Sequence, residues 1–208
     1  VRALHHKKIV PAPNKQSKFL DVGCWDGGHL IYFAKYGYQV SGVDVTQAEM
    51  ELAEFNLKRE GIKAFSLKVM NNEILDFPGE EFDIVLCWKT IYHAGSREKI
   101  KKLMSEMVRV LKRGKPIIIS TLENDSMHIV NSEKIGENMY KYRMPGRSDG
   151  ENVFYYHFEN SGDFIDLLKQ HGIGNIEIGS SSGYLLHKMK VFSQNIKRSL
   201  RIFYGEKM

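Results

Sequence analysis

Little in this chain points to an oxidising or membrane setting. Only two cysteines occur among 208 residues, Cys24 and Cys87, which excludes a disulfide framework and any zinc site built on paired C-x-x-C. No stretch approaches the ~18 consecutive apolar residues of a membrane span, and the opening VRALHHKKIVPAP lacks the apolar core of a signal peptide. A cytoplasmic protein is therefore expected. Internal repeats are absent. The first residue is Val1 rather than Met, compatible with a fragment of a longer protein. With 42% hydrophobic and 26% charged residues, the composition suits a globular fold rather than a disordered chain. At ~100–200 residues per domain, residues 1–208 are expected to form one domain.

A continuous basic surface is lacking too, although the net charge is +5. Residues 1–18 hold Arg2, Lys7, Lys8, Lys15 and Lys18 with no acid, and residues 184–208 hold six basic residues against Glu206. Each end thus carries +5, and residues 19–183 carry −5. A basic total produced by two ends around an acidic body argues against a nucleic-acid groove on the fold itself.

What is present is alternation. KFLDV at 18–22 reads as a buried strand and 29–36 as a helix ended by Gly37. Residues 38–45 read as a second strand, and T46-x-x-E49 as a capping box opening a helix that carries Met50, Ala53 and Leu57 on one face. Strands are expected at 64–69, 82–88 and 115–121, with a helix at 97–112 between the last two. Such alternation predicts an α/β fold, a Rossmann-like doubly wound and mostly parallel sheet with helices on both faces. In an open sheet of this kind, ligands bind beyond the carboxyl ends of the strands.

Residues 122–158 show no clear periodicity and contain Asn124, Asp125, Pro145, Gly146 and the run SDGEN. Their aromatics Tyr140, Tyr142, Phe154, Tyr155 and Tyr156 suit a lid-like insertion over a small organic acceptor, or a satellite core. A helix is expected at 161–171 and a strand at 173–178. In the tail, Leu185, Met189, Phe192, Ile196, Leu200 and Phe203 recur every three or four residues, the pattern of a basic amphipathic helix within 184–208. Residues 188–192 are an alternative strand.

The most specific feature is FLDVGCWDGGHL, in which an acid closes the first strand and Gly23, Gly27 and Gly28 lead into a helix, with Asp44 closing the second strand. A dinucleotide site needs glycine where Trp25 stands, so that a pyrophosphate can approach the backbone; NAD is disfavoured. The arrangement resembles the class I S-adenosylmethionine-dependent methyltransferases, whose first motif is an acid followed by spaced glycines, as in D21-V22-G23-C24-W25-D26-G27. E73-I74-L75-D76-F77-P78 followed by FDIVL, and RVLKRGKPIIIST, are similar to later segments of that family. The chain departs from the family's usual form at Trp25, Arg113 and Lys115.

The resemblance implies S-adenosylmethionine as cofactor. It puts Asp21, Gly23, Cys24, Trp25 and Gly27 near the methionine moiety, Asp44 with Val45 at the ribose, and Glu73 with Ile74 at the adenine. Cys87, at the end of the fourth strand, completes the set, and no metal is implied. Methyl transfer from a sulfonium is an in-line displacement that needs a base only when the acceptor is protonated. His93 in CWKTIYH and His157 in FYYHF are the candidates for that role. The leading expectation is methylation of a small organic molecule. Alternatives are an RNA acceptor gripped by the basic ends and the aromatic segment, and a non-catalytic partner subunit, a reading sustained by Trp25. Neither acceptor identity nor oligomeric state is set by the sequence.

Overall fold

Strand β1 (Lys18–Val22) lies at the middle of the parallel part of the sheet, paired with β2 (Gln39–Asp44) on one side and β4 (Ile84–Cys87) on the other. β3 (Ser66–Val69) extends the sheet beyond β2, and β5 (Pro116–Leu122) beyond β4, all in parallel. This computed structural model describes residues 10–70, 74–143, 152–180 and 200–208. The period-two alternation of strands sends Phe19, Val40, Ile84, Leu86 and Ile118 to one face and Leu20, Val22, Val43, Val85, Ile117 and Ile119 to the other. Helices α1 (Gly28–Tyr36) and α2 (Gln47–Arg59) cover the first face through Leu30, Phe33, Met50, Ala53 and Leu57. Helix α3 (Arg97–Val110) covers the second, burying Ile100, Leu103, Met104 and Met107.

Local chemistry sets the boundaries of these helices. Gly37, at φ 108°, closes α1, and its N–H together with that of Tyr38 returns to Ala34 and Phe33. Thr46 caps α2 by accepting from the Glu49 amide at 3.2 Å, and Ser96 does the same for α3 through Lys99 at 3.2 Å. The expected doubly wound α/β architecture is thus present, and among the described residues no helix is long and apolar enough to cross a membrane.

The segment after β5 is more regular than its sequence suggests. A one-turn helix, α4 (Met127–Val130), precedes a separate antiparallel sheet of β6 (Glu133–Gly136), β7 (Met139–Arg143) and β8 (Asn152–Tyr156). Tyr142 and Tyr155 turn inward onto Tyr92, Leu122, Ile129 and Leu200, a satellite core. Strands of four or five residues show too little alternation to be read alone, and pairing between β7 and β8 holds these in place. Helix α5 (Ser161–Gln170), capped by Asn160, adds Phe164, Leu167 and Leu168 to the second face.

Two strands complete the sheet, β9 (Ile173–Ser180) and β10 (Leu200–Lys207), giving the order β3-β2-β1-β4-β5-β10-β9. β10 runs antiparallel between β5 and β9. Here the expectation of a helix through Leu200 and Phe203 is corrected, because the open edge of β5 requires a hydrogen-bonding partner that a helix cannot supply. The remainder of that expected helix, and the alternative strand at 188–192, lie outside the described residues. Two tail cations are absorbed into the fold: Arg201 donates to Phe158 O and Asn124 Oδ1, and Lys207 to Leu111 O and Glu80.

Phe203 is buried against Phe164 at a ring separation of 4.6 Å. Phe203→Ala is therefore expected to cost about 3–5 kcal/mol of unfolding free energy in urea melts. Deleting 200–208 should abolish cooperative unfolding, whereas a deletion that melts like the full chain would show β10 to be dispensable.

Candidate functional site

The carboxyl ends of β1, β2 and β4 converge on one loop cluster. Past Val22, the amides of Gly23 and Cys24 both donate to Val43 O, at 2.9 and 3.0 Å, so the chain leans toward β2 as it leaves the sheet. Gly23 has φ 78°, and a Cβ there would lie 2.1 Å from Thr90 Oγ1 in the loop after β4. Absence of a side chain is what lets those two loops touch. Gly27 (φ 76°) begins α1 where a Cβ would stand 3.3 Å from Ala53 of α2. Between them Trp25 adopts φ 44°, left-handed backbone rarely taken by a bulky residue, and its side chain is exposed.

Asp44 is nearly buried and holds this turn in place. Its Oδ2 accepts from the Trp25 amide at 2.8 Å and its Oδ1 from the Val45 amide at 2.7 Å. Each oxygen retains a lone pair for a further donor. Asp21 is the opposite case, 0% exposed with neither carboxylate oxygen hydrogen-bonded. Among the described residues its ion-pair neighbour is His29 of α1, with Nδ1 3.4 Å from Oδ2, within ion-pair reach but outside hydrogen-bond geometry. Burial pushes the Asp21 carboxyl above its ordinary 3.8, against the opposing pull of His29. The ring of His29 meets Trp88 edge-on at 5.9 Å.

A second group of side chains gathers after β4. The 3-10 turn Ile91–His93 carries His93 onto the rings of Tyr92 and Tyr155, at 4.7 and 5.1 Å. The Tyr155 hydroxyl lies 3.3 Å from His128 Nδ1, and His128 stacks edge-on with Tyr142 at 5.5 Å. Surrounding protein, and next His128, push His93 down to about 4. His93 is an exposed residue, and the lowered value leaves its imidazole neutral at neutral pH. Tyr155 is pushed up to about 12 by burial and keeps its proton.

His157 behaves differently. It is buried, Nε2 is bound to Asn124 Oδ1 at 2.9 Å, Nδ1 is sealed without a partner, and Tyr140 covers the ring edge-on. Burial, and next Arg201, lower it to about 4. So placed, His157 ties the chain after β8 to the loop after β5, and it is His29 and His93 rather than His157 that stand partly open to solvent.

Of the other expected residues, Gly23, Trp25, Gly27, Asp21, Asp44 and Val45 come together at this edge. Val45 is exposed there, Ile74 is an exposed apolar side chain in the segment after β3, and Glu73 lies outside the described residues. The cysteines do not face each other. Cys24 packs into the cluster under α1, and Cys87 into the one under α3. Burial pushes both thiols well above their ordinary range, and the Cys87 side chain is fully buried. Sequence reasoning missed His29, Thr90 and His128. His29 alone carried a signal, since it follows the glycines on the first turn of α1. Two surface depressions, of about 620 and 430 Å³, lie elsewhere, lined by residues such as Lys18, Gln39 and Glu81, and Met50, Leu57 and Leu67. Neither contains the buried carboxylates, which are the stronger guide to chemistry.

Comparison with known proteins points the same way. A family described as a methyltransferase domain matches residues 19–114. The norajmaline N-methyltransferase of Rauvolfia serpentina is 34% identical over 120 residues, 56% of this chain and 40% of that protein. The chain therefore spans less than half the length of that relative. An uncharacterised protein of Methanocaldococcus jannaschii is 33% identical over 173 residues, 82% of this chain and 69% of that one. Among solved structures, a S-adenosylmethionine-dependent methyltransferase of Methanosarcina mazei superposes with a TM-score of 0.77 at 19% identity, covering 100% of this chain and 98% of the other, a likeness of fold.

Two outcomes follow from the geometry. Gly23→Ala should destabilise the protein by about 2 kcal/mol or more in thermal melts, and adding Thr90→Ala should not restore it, because Thr90 Cβ itself lies 2.7 Å from the new methyl. Because the Asp21 pKa is raised by folding, ionising it costs the folded state more than the unfolded chain, and stability is lost as pH rises through the folded value. Asp21→Asn should thus raise the urea midpoint near pH ~7, a gain that shrinks as the pH falls toward 3.8. A lower midpoint at neutral pH would show the carboxylate to be stabilising.

Proposed function

This chain belongs to the class I S-adenosylmethionine-dependent methyltransferases, and from that premise we propose that it transfers a methyl group from S-adenosylmethionine to a small organic acceptor. One observation carries the reading: a fully buried carboxylate at Asp21, neither oxygen hydrogen-bonded, beside a glycine turn whose far side is held by Asp44. The pair fits a ligand that brings both a cationic amino group and a ribose diol. Asp21 would face the amino group, Asp44 would accept from the ribose hydroxyls with its remaining lone pairs, and Val45 and Ile74 would flank the adenine. Trp25, within the turn, is exposed. When bound, the cofactor supplies an electrophilic methyl on a sulfonium.

The protein's own task is orientation and exclusion of water, which can supply about 7–11 kcal/mol of the barrier. On the acceptor side, His93 is the group we assign to receive a proton from an acceptor hydroxyl or amine. It is neutral at neutral pH and open to water, flanked by Tyr155 and by His128 on the small sheet's side of the site. The small sheet would act as the lid. A small acceptor is supported by the acidic body of the chain and by the Rauvolfia relative, a norajmaline N-methyltransferase. Two buried thiols on opposite faces of the sheet suit a reducing, cytoplasmic setting.

Calorimetric titration with S-adenosylhomocysteine tests the donor half. Asp44→Ala should weaken binding roughly 10- to 100-fold, the loss of charge-assisted hydrogen bonds worth about 1.5–3 kcal/mol, and absence of binding by the wild-type chain would end the reading. On the acceptor side, His93→Gln should lower turnover by about 10²-fold or more while leaving S-adenosylhomocysteine affinity unchanged.

A further inference from the structure

Arg109, which opens the RVLKRG segment, stands in the last turn of α3 and reaches the irregular chain between β3 and β4. Its Nε and Nη2 grip the two oxygens of Glu106, at 2.7 and 2.8 Å. Nη2 also donates to Leu75 O at 2.7 Å and Nη1 to Phe77 O at 2.8 Å. Glu106 completes the clamp by accepting from the Leu75 amide at 2.8 Å. Between the two gripped carbonyls, Asp76 O accepts from Lys68 Nζ of β3 at 2.7 Å. Residues 74–78 are neither helix nor strand, so three consecutive carbonyls that no ladder satisfies are each held by a cationic side chain. Leu75 and Phe77 within the clamp are buried, whereas Ile74, directly before it, is 69% exposed.

We propose that Arg109 and Glu106 are positioning residues for the adenine end of the cofactor: by gripping the backbone at Leu75 and Phe77 they fix where Ile74, the residue directly before the grip, meets the base. The inference rests on the methyl-donor reading above. Stability alone is a poor account of the clamp, because the Arg109 side chain is 40% exposed and an ion pair so placed adds little to the folded state. What the arrangement supplies is geometry. A planar guanidinium with four engaged N–H groups holds two carbonyls and a carboxylate in one fixed relation. The guanidinium also holds the Glu106 carboxyl below its ordinary range, so the pair is charged at neutral pH. Lysine at position 109 would keep the charge and lose the fork. A flat base seated against Ile74 depends on the height of that backbone, and small misplacements of a binding group are costly.

Calorimetric titration of the full chain with S-adenosylhomocysteine tests whether Arg109 acts through Ile74. Arg109→Lys should weaken binding about tenfold, the scale of one lost charge-assisted hydrogen bond, and Ile74→Ala about threefold or more. Groups that act through one loop are not additive, so the double variant should bind within about twofold of Arg109→Lys alone. Glu106→Gln keeps an oxygen for the Leu75 amide and drops the ion pair; it should weaken binding and be non-additive with Ile74→Ala in the same way. Lys112→Met removes the ion pair with Asp83 at the start of β4. It should leave affinity within about twofold whatever it does to the urea midpoint. Arg109→Lys that binds like wild type, losses at Arg109 and Ile74 that multiply, or an equal loss in Lys112→Met overturns the positioning role while leaving the methyl-donor reading intact. Failure of the wild-type chain to bind S-adenosylhomocysteine overturns both.

Discussion

Parallel pairing of β1 with β2, in a register that sets Asp21 opposite Gly42 and Val22 opposite Val43, brings both strands to an end within a residue or two of each other. Once that register is set, the rest of the donor side follows from backbone bonds. Val43 O takes the next two amides of the β1 loop, the chain bends across β2, and the Trp25 amide arrives at Asp44. Gly42 matters to the same end, since a Cβ there would lie 2.8 Å from both Cys24 Sγ and Leu30 Cδ1. A slip by one residue would exchange the faces of Asp21 and Val22, burying a carboxylate under α3 and turning an apolar side chain toward the site.

The cluster is also where the chain departs from what stability alone would favour. A tryptophan in left-handed backbone costs about 1–2 kcal/mol, and a buried carboxylate without a hydrogen bond carries a desolvation penalty that a neutral residue would not. Both features sit at the carboxyl edge of one sheet, within five residues of each other. Left-handed backbone recurs at Glu80, Lys89, Asn138 and Asn175, so it is the coincidence with a buried carboxylate that suits a site completed by a ligand.

The parallel half of the fold was legible because its signals are local. Strand runs, the Gly37 stop and the Thr46 and Ser96 caps each act within a few residues, and the structure places those elements within about two residues of the sequence reading. The other half depends on contacts between distant segments. Strands β6–β8 have little periodicity of their own, and Leu200 and Phe203 fit a helical spacing while pairing as a strand, because only the folded sheet presents the empty edge of β5. Asp21 and Asp44 could be picked out from motif position, but the partnership of Asp21 with His29 could not. It arises from how α1 packs on β1, which a spacing of eight residues does not reveal. Likewise His157 and His93 look alike in sequence, each beside aromatics; burial under Tyr140 separates them.

Donor and acceptor sides come from different parts of the chain, and this constrains how they can be brought into line. The described donor-side groups, Asp21, His29, Asp44 and the Gly23–Thr90 contact, precede residue 91, whereas the groups around His93, namely His128, Tyr142 and Tyr155, follow β5. An in-line displacement tolerates little misplacement, so the small sheet must be fixed relative to β1 and β4. The Tyr92–Tyr155 contact supplies one tie, and Arg201 of β10 supplies another by bonding Asn124, Phe158 and Glu159 at once. A cation that sequence assigns to a basic tail thereby becomes part of the scaffold that holds the acceptor side in place. Charge at the end of this chain is accordingly a poor guide to its partners, since Arg201 and Lys207 are already committed within the fold.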